Sequence, residues 1–214
     1  NQEAFVMQTK GVLVVVSGFS GAGKGTVMKA LLNKYDNYAL SVSATTRNPR
    51  PGEENGREYF FLTESQFEDM IKNDELIEHA RYVDHYYGTP KKYVEEKMAA
   101  GKDVILEIEI QGALNIKKKF PDALLVFIVP PTAEDLKKRL TGRGTESAEV
   151  IEKRLRRAAE ESDGMDSYDY IVVNDDIDTC VEDLHSLIRS SHFKESANTD
   201  LVARMKQELH DMTK

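Results

Sequence analysis

Gly11–Ser17 is an unbroken apolar run, Gly-Val-Leu-Val-Val-Val-Ser, and glycines follow it at positions 18, 21, 23 and 25 before a helical stretch over Thr26–Tyr35. A run with no polar alternation reads as a strand buried on both faces, as in a parallel sheet. Its continuation is Gly18-Phe19-Ser20-Gly21-Ala22-Gly23-Lys24-Gly25-Thr26. Strand, glycine-rich turn and helix in that order form a phosphate cradle. Glycines let backbone N–H groups turn inward around anionic oxygens, and the helix N-terminus adds a favourable dipole. Lys24 would set a cation on the terminal phosphates of a nucleotide. Where a hydroxyl residue usually follows the lysine, this chain has Gly25, so Thr26 is expected to act on phosphate or through water. A glycine turn with a surface lysine is the bland alternative, and the flanking elements weigh against it.

Asp103–Glu109 and Ala123–Val129 are further strands of the buried type, each followed by a helical segment, at Gln111–Lys119 and Ala133–Leu140. Tyr170–Val173 is a shorter strand, and Ile177–Arg189 reads as a helix with Cys180, Val181, Leu184, Leu187 and Ile188 at helical spacing. Strands alternating with helices predict a doubly wound α/β core. Between Ser43 and Lys92 the pattern changes. A turn-rich stretch, Asn48–Gly56, precedes short strands at Tyr59–Leu62 and Ile77–Val83 around a helix at Glu64–Asn73. The expected organisation is an N-terminal extension over 1–10, a core of 11–42, 93–134 and 157–190, a mixed insert over 43–92, a helical segment over 135–156 and a C-terminal helix over 191–214. Met7 is expected as the natural start, the residues before it being added ones.

The net charge of −8 argues against a general nucleic-acid binder. It belongs wholly to residues 161–214, which carry thirteen acidic and five basic residues. An anionic ligand must therefore be held by cations placed earlier in the chain. No apolar run approaches the roughly 20 residues of a membrane span. Cys180, the one cysteine, reads as a packed core thiol and fits a reducing cytoplasm.

The stretch Ser41-Val-Ser43-Ala-Thr-Thr-Arg47-Asn-Pro-Arg50-Pro-Gly-Glu-Glu-Asn-Gly-Arg57-Glu-Tyr59 closely resembles the monophosphate-binding signature of guanylate kinases. With it, in the same order, stand Glu78, Tyr86-Tyr87-Gly88-Thr89, the Arg139/Arg143 pair and Asn174. The resemblance spans about Gly11 to Arg189. It implies an α/β fold: a P-loop parallel-sheet core flanked by helices, with a mixed α+β GMP-binding insert and a helical lid. It implies transfer of the γ-phosphoryl group of ATP to GMP, with Mg²⁺ as cofactor. The loop itself, Gly-Lys-Gly-Thr, is similar to that of adenylate kinases, which keeps a kinase for another monophosphate in view.

By the same resemblance, Gly18 to Thr26 would cradle ATP, with Arg143 and Asn174 bordering the adenine. Arg47, Arg50, Tyr59 and Tyr87 would hold the GMP phosphate, arginine offering a planar fork suited to a dianion. Ser43, Glu78 and Thr89 would read the guanine, since a carboxylate can accept both N1–H and the 2-amino group while adenine offers neither donor. Lys24, Arg47, Arg139, Arg143 and Arg154 would carry the transfer. Glu107 and Glu109, read as the end of a strand, stand where the family more often has Asp; Glu109 faces guanine or metal-bound water, and Thr26 and Glu107 lie nearest any Mg²⁺. Arg156 and Arg157 read as a solvated helix face. The partners implied are ATP and GMP, with no nucleic acid and no membrane, and a homodimer is left open. The rival from another class is a non-catalytic interaction module of guanylate-kinase fold, against which the intact loop with Lys24 speaks.

Overall fold

A computed structural model describes residues 10–82, 84–142 and 147–213. In chain order the core opens with β1 (Leu13–Gly18), α1 (Lys24–Lys34) and β2 (Tyr38–Leu40). A second group follows: β3 (Ser43–Thr45), β4 (Tyr59–Phe61), α2 (Glu64–Lys72), β5 (Leu76–Tyr82), β6 (His85–Pro90) and α3 (Lys91–Ala99). The chain then returns through β7 (Asp103–Glu107), α4 (Ile110–Lys119), β8 (Leu124–Val129), α5 (Ala133–Thr141), α6 (Ala148–Ser162), β9 (Tyr170–Val173), α7 (Ile177–Ser191) and α8 (Thr199–Met212).

The main sheet runs β2-β7-β1-β8-β9 with every pair parallel. Strands β1, β7 and β8 are near-continuous apolar because helices cover both faces. Val14, Val16, Ile105, Val126 and Ile128 meet Val27 and Leu31 of α1 and Cys180, Leu184 and Ile188 of α7. On the opposite face Val15, Val104, Leu106 and Leu125 meet Val94 of α3 and Ala113 and Ile116 of α4. Cys180 is fully enclosed and burial pushes its thiol up to about 11, which makes it the inert core thiol its sequence setting suggested. Because all five strands point the same way, the segments following β1, β7 and β8 collect at one edge of the sheet. That edge is where ligands bind in open α/β folds.

The second sheet, β4-β3-β6-β5, pairs β3 with β4 in parallel and β6 with both β3 and β5 antiparallel. One face packs on α2, with Ala44, Phe67 and Leu76 enclosed and Phe67 stacked 5.1 Å from Tyr86. Thr63 starts α2 through a reciprocal capping box with Gln66. Lys119 at the end of α4 donates to the Ile77 carbonyl (3.0 Å), tying this sheet to the core.

Two readings of the sequence shift. Strand β7 stops at Glu107, not Glu109, because the Ile108 carbonyl accepts from Ser17 Oγ (2.7 Å) and the Glu109 side chain caps α4. The expected C-terminal helix is broken by a short 3-10 turn at Glu195–Ala197, and none of the residues of α8 is buried. Among the described residues, α6 begins at Ala148 with Ser147 as its cap. No helix among the described residues is long and apolar enough to cross a membrane.

Candidate active site

The phosphate loop leaves β1 at Gly18 and enters α1 at Lys24. Gly21 and Gly23 hold φ of 94° and 88°, a left-handed conformation that side chains with a Cβ resist. Space forbids a Cβ too: one at Gly18 would lie 2.3 Å from the Ile128 carbonyl oxygen, and one at Gly23 would lie 2.5 Å from Asn174 Nδ2. Asn174, almost fully buried, donates through that nitrogen to the Ala22 carbonyl (2.8 Å). No side chain caps α1, so its first-turn N–H groups remain open to an anion. Gly23→Ala is expected to lose nucleotide binding and about 1–3 kcal/mol of stability through strain and displacement of Asn174. Thermal melts and nucleotide titration check it.

Lys24 Nζ donates to the carbonyls of Gly18 (2.6 Å) and Phe19 (3.3 Å), so the ammonium sits inside the loop. Burial lowers its pKa, while the charges of Glu107 and Glu161 oppose that shift. Arg139 donates to the backbone carbonyls of Asn174 (2.8 Å) and Ala22 (3.4 Å). Arg154 reaches Ser20 Oγ at 3.3 Å. Helices α5 and α6 pack on each other through Leu136, Leu140, Ile151, Leu155 and Ala158, and Phe19 joins that cluster from the loop. Arg156 and Arg157 pair with Glu152 (3.0 Å) and Glu161 (2.9 Å) one turn away, the exposed-face pattern expected of them. Arg143 lies outside the described residues.

The second sheet brings its residues together by register. Ser43 stands opposite Tyr59, and Thr45 opposite Tyr87, while Tyr87 and Thr89 are two apart on β6. With a side-chain period of two, Ser43, Tyr59, Tyr87 and Thr89 share one face, away from α2. Glu78 joins them: Thr89 Oγ1 donates to its Oε1 at 2.9 Å, with Thr89 fully buried and Glu78 7% exposed. Burial raises the pKa of Glu78, the neighbouring Glu109 charge adds to this, and the Thr89 bond acts against it. A Cβ on Gly112 would come 3.3 Å from Glu78 Oε2 and 3.5 Å from Glu109 Oε1, so this glycine keeps open the gap between the two acids. Glu109 accepts from the backbone N–H groups of Gln111 (2.9 Å) and Gly112 (2.8 Å).

Arg47 lies over the rings of Tyr59 (5.3 Å) and Phe61 (5.7 Å), with Tyr87 nearby. Its guanidinium meets Glu53 through two bonds of 2.9 and 3.0 Å, a residue to which the sequence reading gave no role. Arg50 is exposed, its backbone N–H donating to the same Glu53 carboxylate. Gly25 and Thr26 are exposed at the start of α1, and Glu107 is exposed at the end of β7, the strand beside β1. No group of three or more His, Cys, Asp or Glu side chains able to hold a metal occurs among the described residues.

The family model described as "Guanylate kinase" matches residues 10–191. The chain belongs to the guanylate kinase family. A guanylate kinase of Caldanaerobacter subterraneus subsp. tengcongensis is 47% identical over 202 residues, 94% of this chain and 98% of that one. One from Lactococcus lactis is 50% identical over 188 residues, 88% and 92% of the two chains. The crystal structure of guanylate kinase from Anaplasma phagocytophilum matches with a TM-score of 0.69 at 33% identity, covering 87% of this chain and 88% of its own. The guanylate kinase match leaves out most of the N-terminal residues and all of α8, close to the limits read from the motifs.

Proposed function

We propose that the chain transfers the γ-phosphoryl group of ATP to GMP, giving ADP and GDP. The observation that carries this is the face of the second sheet that unites a buried carboxylate, Glu78, with Arg47, Tyr59 and Tyr87. A base reader and a phosphate clamp on one surface, joined to a core that presents a phosphate loop, suit one nucleoside monophosphate and one triphosphate. Gly18 to Thr26 bind ATP, and Asn174 borders its adenine, with Arg143 assigned there by resemblance alone. Ser43, Glu78, Thr89 and Glu109 face guanine. Glu109 does so at the cap of α4, with lone pairs left beyond its two backbone bonds.

No general base is needed, because a GMP phosphate oxygen is already anionic at neutral pH. The barrier is the repulsion between two polyanions brought into line. Lys24, Arg47, Arg139, Arg143 and Arg154 offset it. Residues 135–156 act as a lid, whose closure excludes water as a competing acceptor. Thr26 and Glu107, exposed beside the loop, fit a Mg²⁺ held mainly by phosphates and water. When bound, that ion supplies charge neutralisation on the transferring phosphates. The enzyme is assigned to the cytoplasm, where its thiol stays reduced.

The deciding experiment offers the purified protein Mg·ATP with GMP, AMP, CMP or UMP separately and follows ADP formation. GMP alone should support turnover. Equal rates with AMP, or ADP release without any acceptor, would overturn the assignment.

A further inference from the structure

We propose that Glu53 is a positioning residue for the phosphate clamp, holding Arg47 and Arg50 in the form that receives the acceptor's phosphate. This rests on the function proposed above. A guanidinium carries five N–H groups. In Arg47 the two on Nη1 go to Glu53 Oε2 (2.9 Å) and the Asn48 carbonyl (2.7 Å), and one on Nη2 goes to Glu53 Oε1 (3.0 Å). The second hydrogen of Nη2 and that of Nε form the other edge of the fork. That edge is the pair of parallel donors a phosphate dianion takes best. Glu53 thus grips Arg47 by its end and leaves the side edge to the phosphate.

Two further features make this a fixed mount. The guanidinium lies over the neighbouring rings of Tyr59 and Phe61, and the side chains of Arg47 and Glu53 are only 14% and 18% exposed. An ion pair this shielded holds its geometry better than a surface pair, which salt and side-chain entropy erode. Glu53 Oε2 also accepts the backbone N–H of Arg50 at 2.7 Å, and the Glu53 N–H returns to the Arg50 carbonyl at 3.0 Å. One carboxylate therefore sets the rotamer of the first arginine and the backbone of the second. The opposite arrangement, in which Glu53 only occupies the clamp until GMP displaces it, predicts the reverse effect on affinity.

The test compares the full-length protein with Glu53→Ala and Glu53→Gln, titrating GMP and guanosine calorimetrically and measuring KM for both substrates. Loss of the mount should weaken GMP about 10- to 100-fold in Glu53→Ala, the range a charge-assisted hydrogen bond commands. Glu53→Gln, which keeps one acceptor, should lose less. Guanosine has no phosphate, so its affinity should stay unchanged, as should KM for ATP. Unchanged or tighter GMP binding in Glu53→Ala would overturn the proposal in favour of the displaced-carboxylate arrangement. An equal loss for guanosine and GMP would overturn it by showing that Glu53 merely supports the insert. Failure of the unaltered protein to bind GMP would instead remove the function on which the proposal stands.

Discussion

Replacing Lys24 by alanine should lower turnover about 10³-fold while leaving the fold intact. The two halves of that expectation have separate causes. Among the described residues the ammonium bonds only the carbonyls of Gly18 and Phe19, both within the loop itself. Those carbonyls belong to half-buried residues at the mouth of the sheet, where water can replace the lost donor. Alanine is also a good residue for the first turn of α1. Stability should therefore change by no more than about 1 kcal/mol. Catalysis has no such substitute. The lysine is the one charged side chain of Gly18–Thr26, and in the proposed reaction it meets the terminal phosphates from a setting where burial already lowers its pKa. A cation poorly solvated in the free protein gains more from an arriving polyanion than one fully hydrated. Initial rates of ADP formation and a circular-dichroism melt check both halves. Turnover within about tenfold of the original, with unchanged melting, would remove the loop from the mechanism.

The parts of this architecture that could be read in advance are those whose burial is written in unbroken apolar runs. Strands β1 and β8 stand where Gly11–Ser17 and Ala123–Val129 predict them, and β9 where Tyr170–Val173 does, although only Val172 of it is buried. Strands β2, β3 and β6 were not legible. β3 is Ser-Ala-Thr, and its Thr45 is wholly buried because its hydroxyl bonds the Tyr86 carbonyl (2.9 Å), a partner 41 residues away. β6 contains a glycine and ends on a proline, and α3 has a single buried residue, Val94. Long-range pairing overrides local pattern in each.

At the site, motif resemblance named side chains that the register then gathers on one face. It did not reveal Glu53. That acid follows Arg47 by six residues across two prolines, a spacing no helical or strand period marks, so only the folded turn brings them together. The end of β7 was misread for a related reason. The apolar run carried the strand two residues too far, whereas an acid just before Ile110 is equally a helix cap.

Glu78→Gln should cost about 10³- to 10⁴-fold in kcat/KM for GMP and leave KM for ATP unchanged. Guanine presents two donors side by side. A carboxylate accepts both, whereas an amide must either expose its NH₂ to one of them or lose a bond to Thr89 Oγ1, now 2.9 Å from Glu78 Oε1. With Glu78 only 7% exposed, water cannot repair the mismatch. The same burial sets a pH signature. It raises the pKa of Glu78 in the free protein, with the Glu109 charge in the same direction, so ionisation costs more than in an unfolded chain. Stability from this group is therefore present while it is protonated and is lost as pH rises through its folded pKa. GMP needs the ionised form. Its KM should then climb as pH falls through a value above the usual carboxylate range, and GMP binding within that window should release a proton. Glu78→Gln should flatten this limb. A KM for GMP that stays level down to the ordinary carboxylate range, or a Glu78→Gln loss shared equally by ATP, would show that this carboxylate does not read the base.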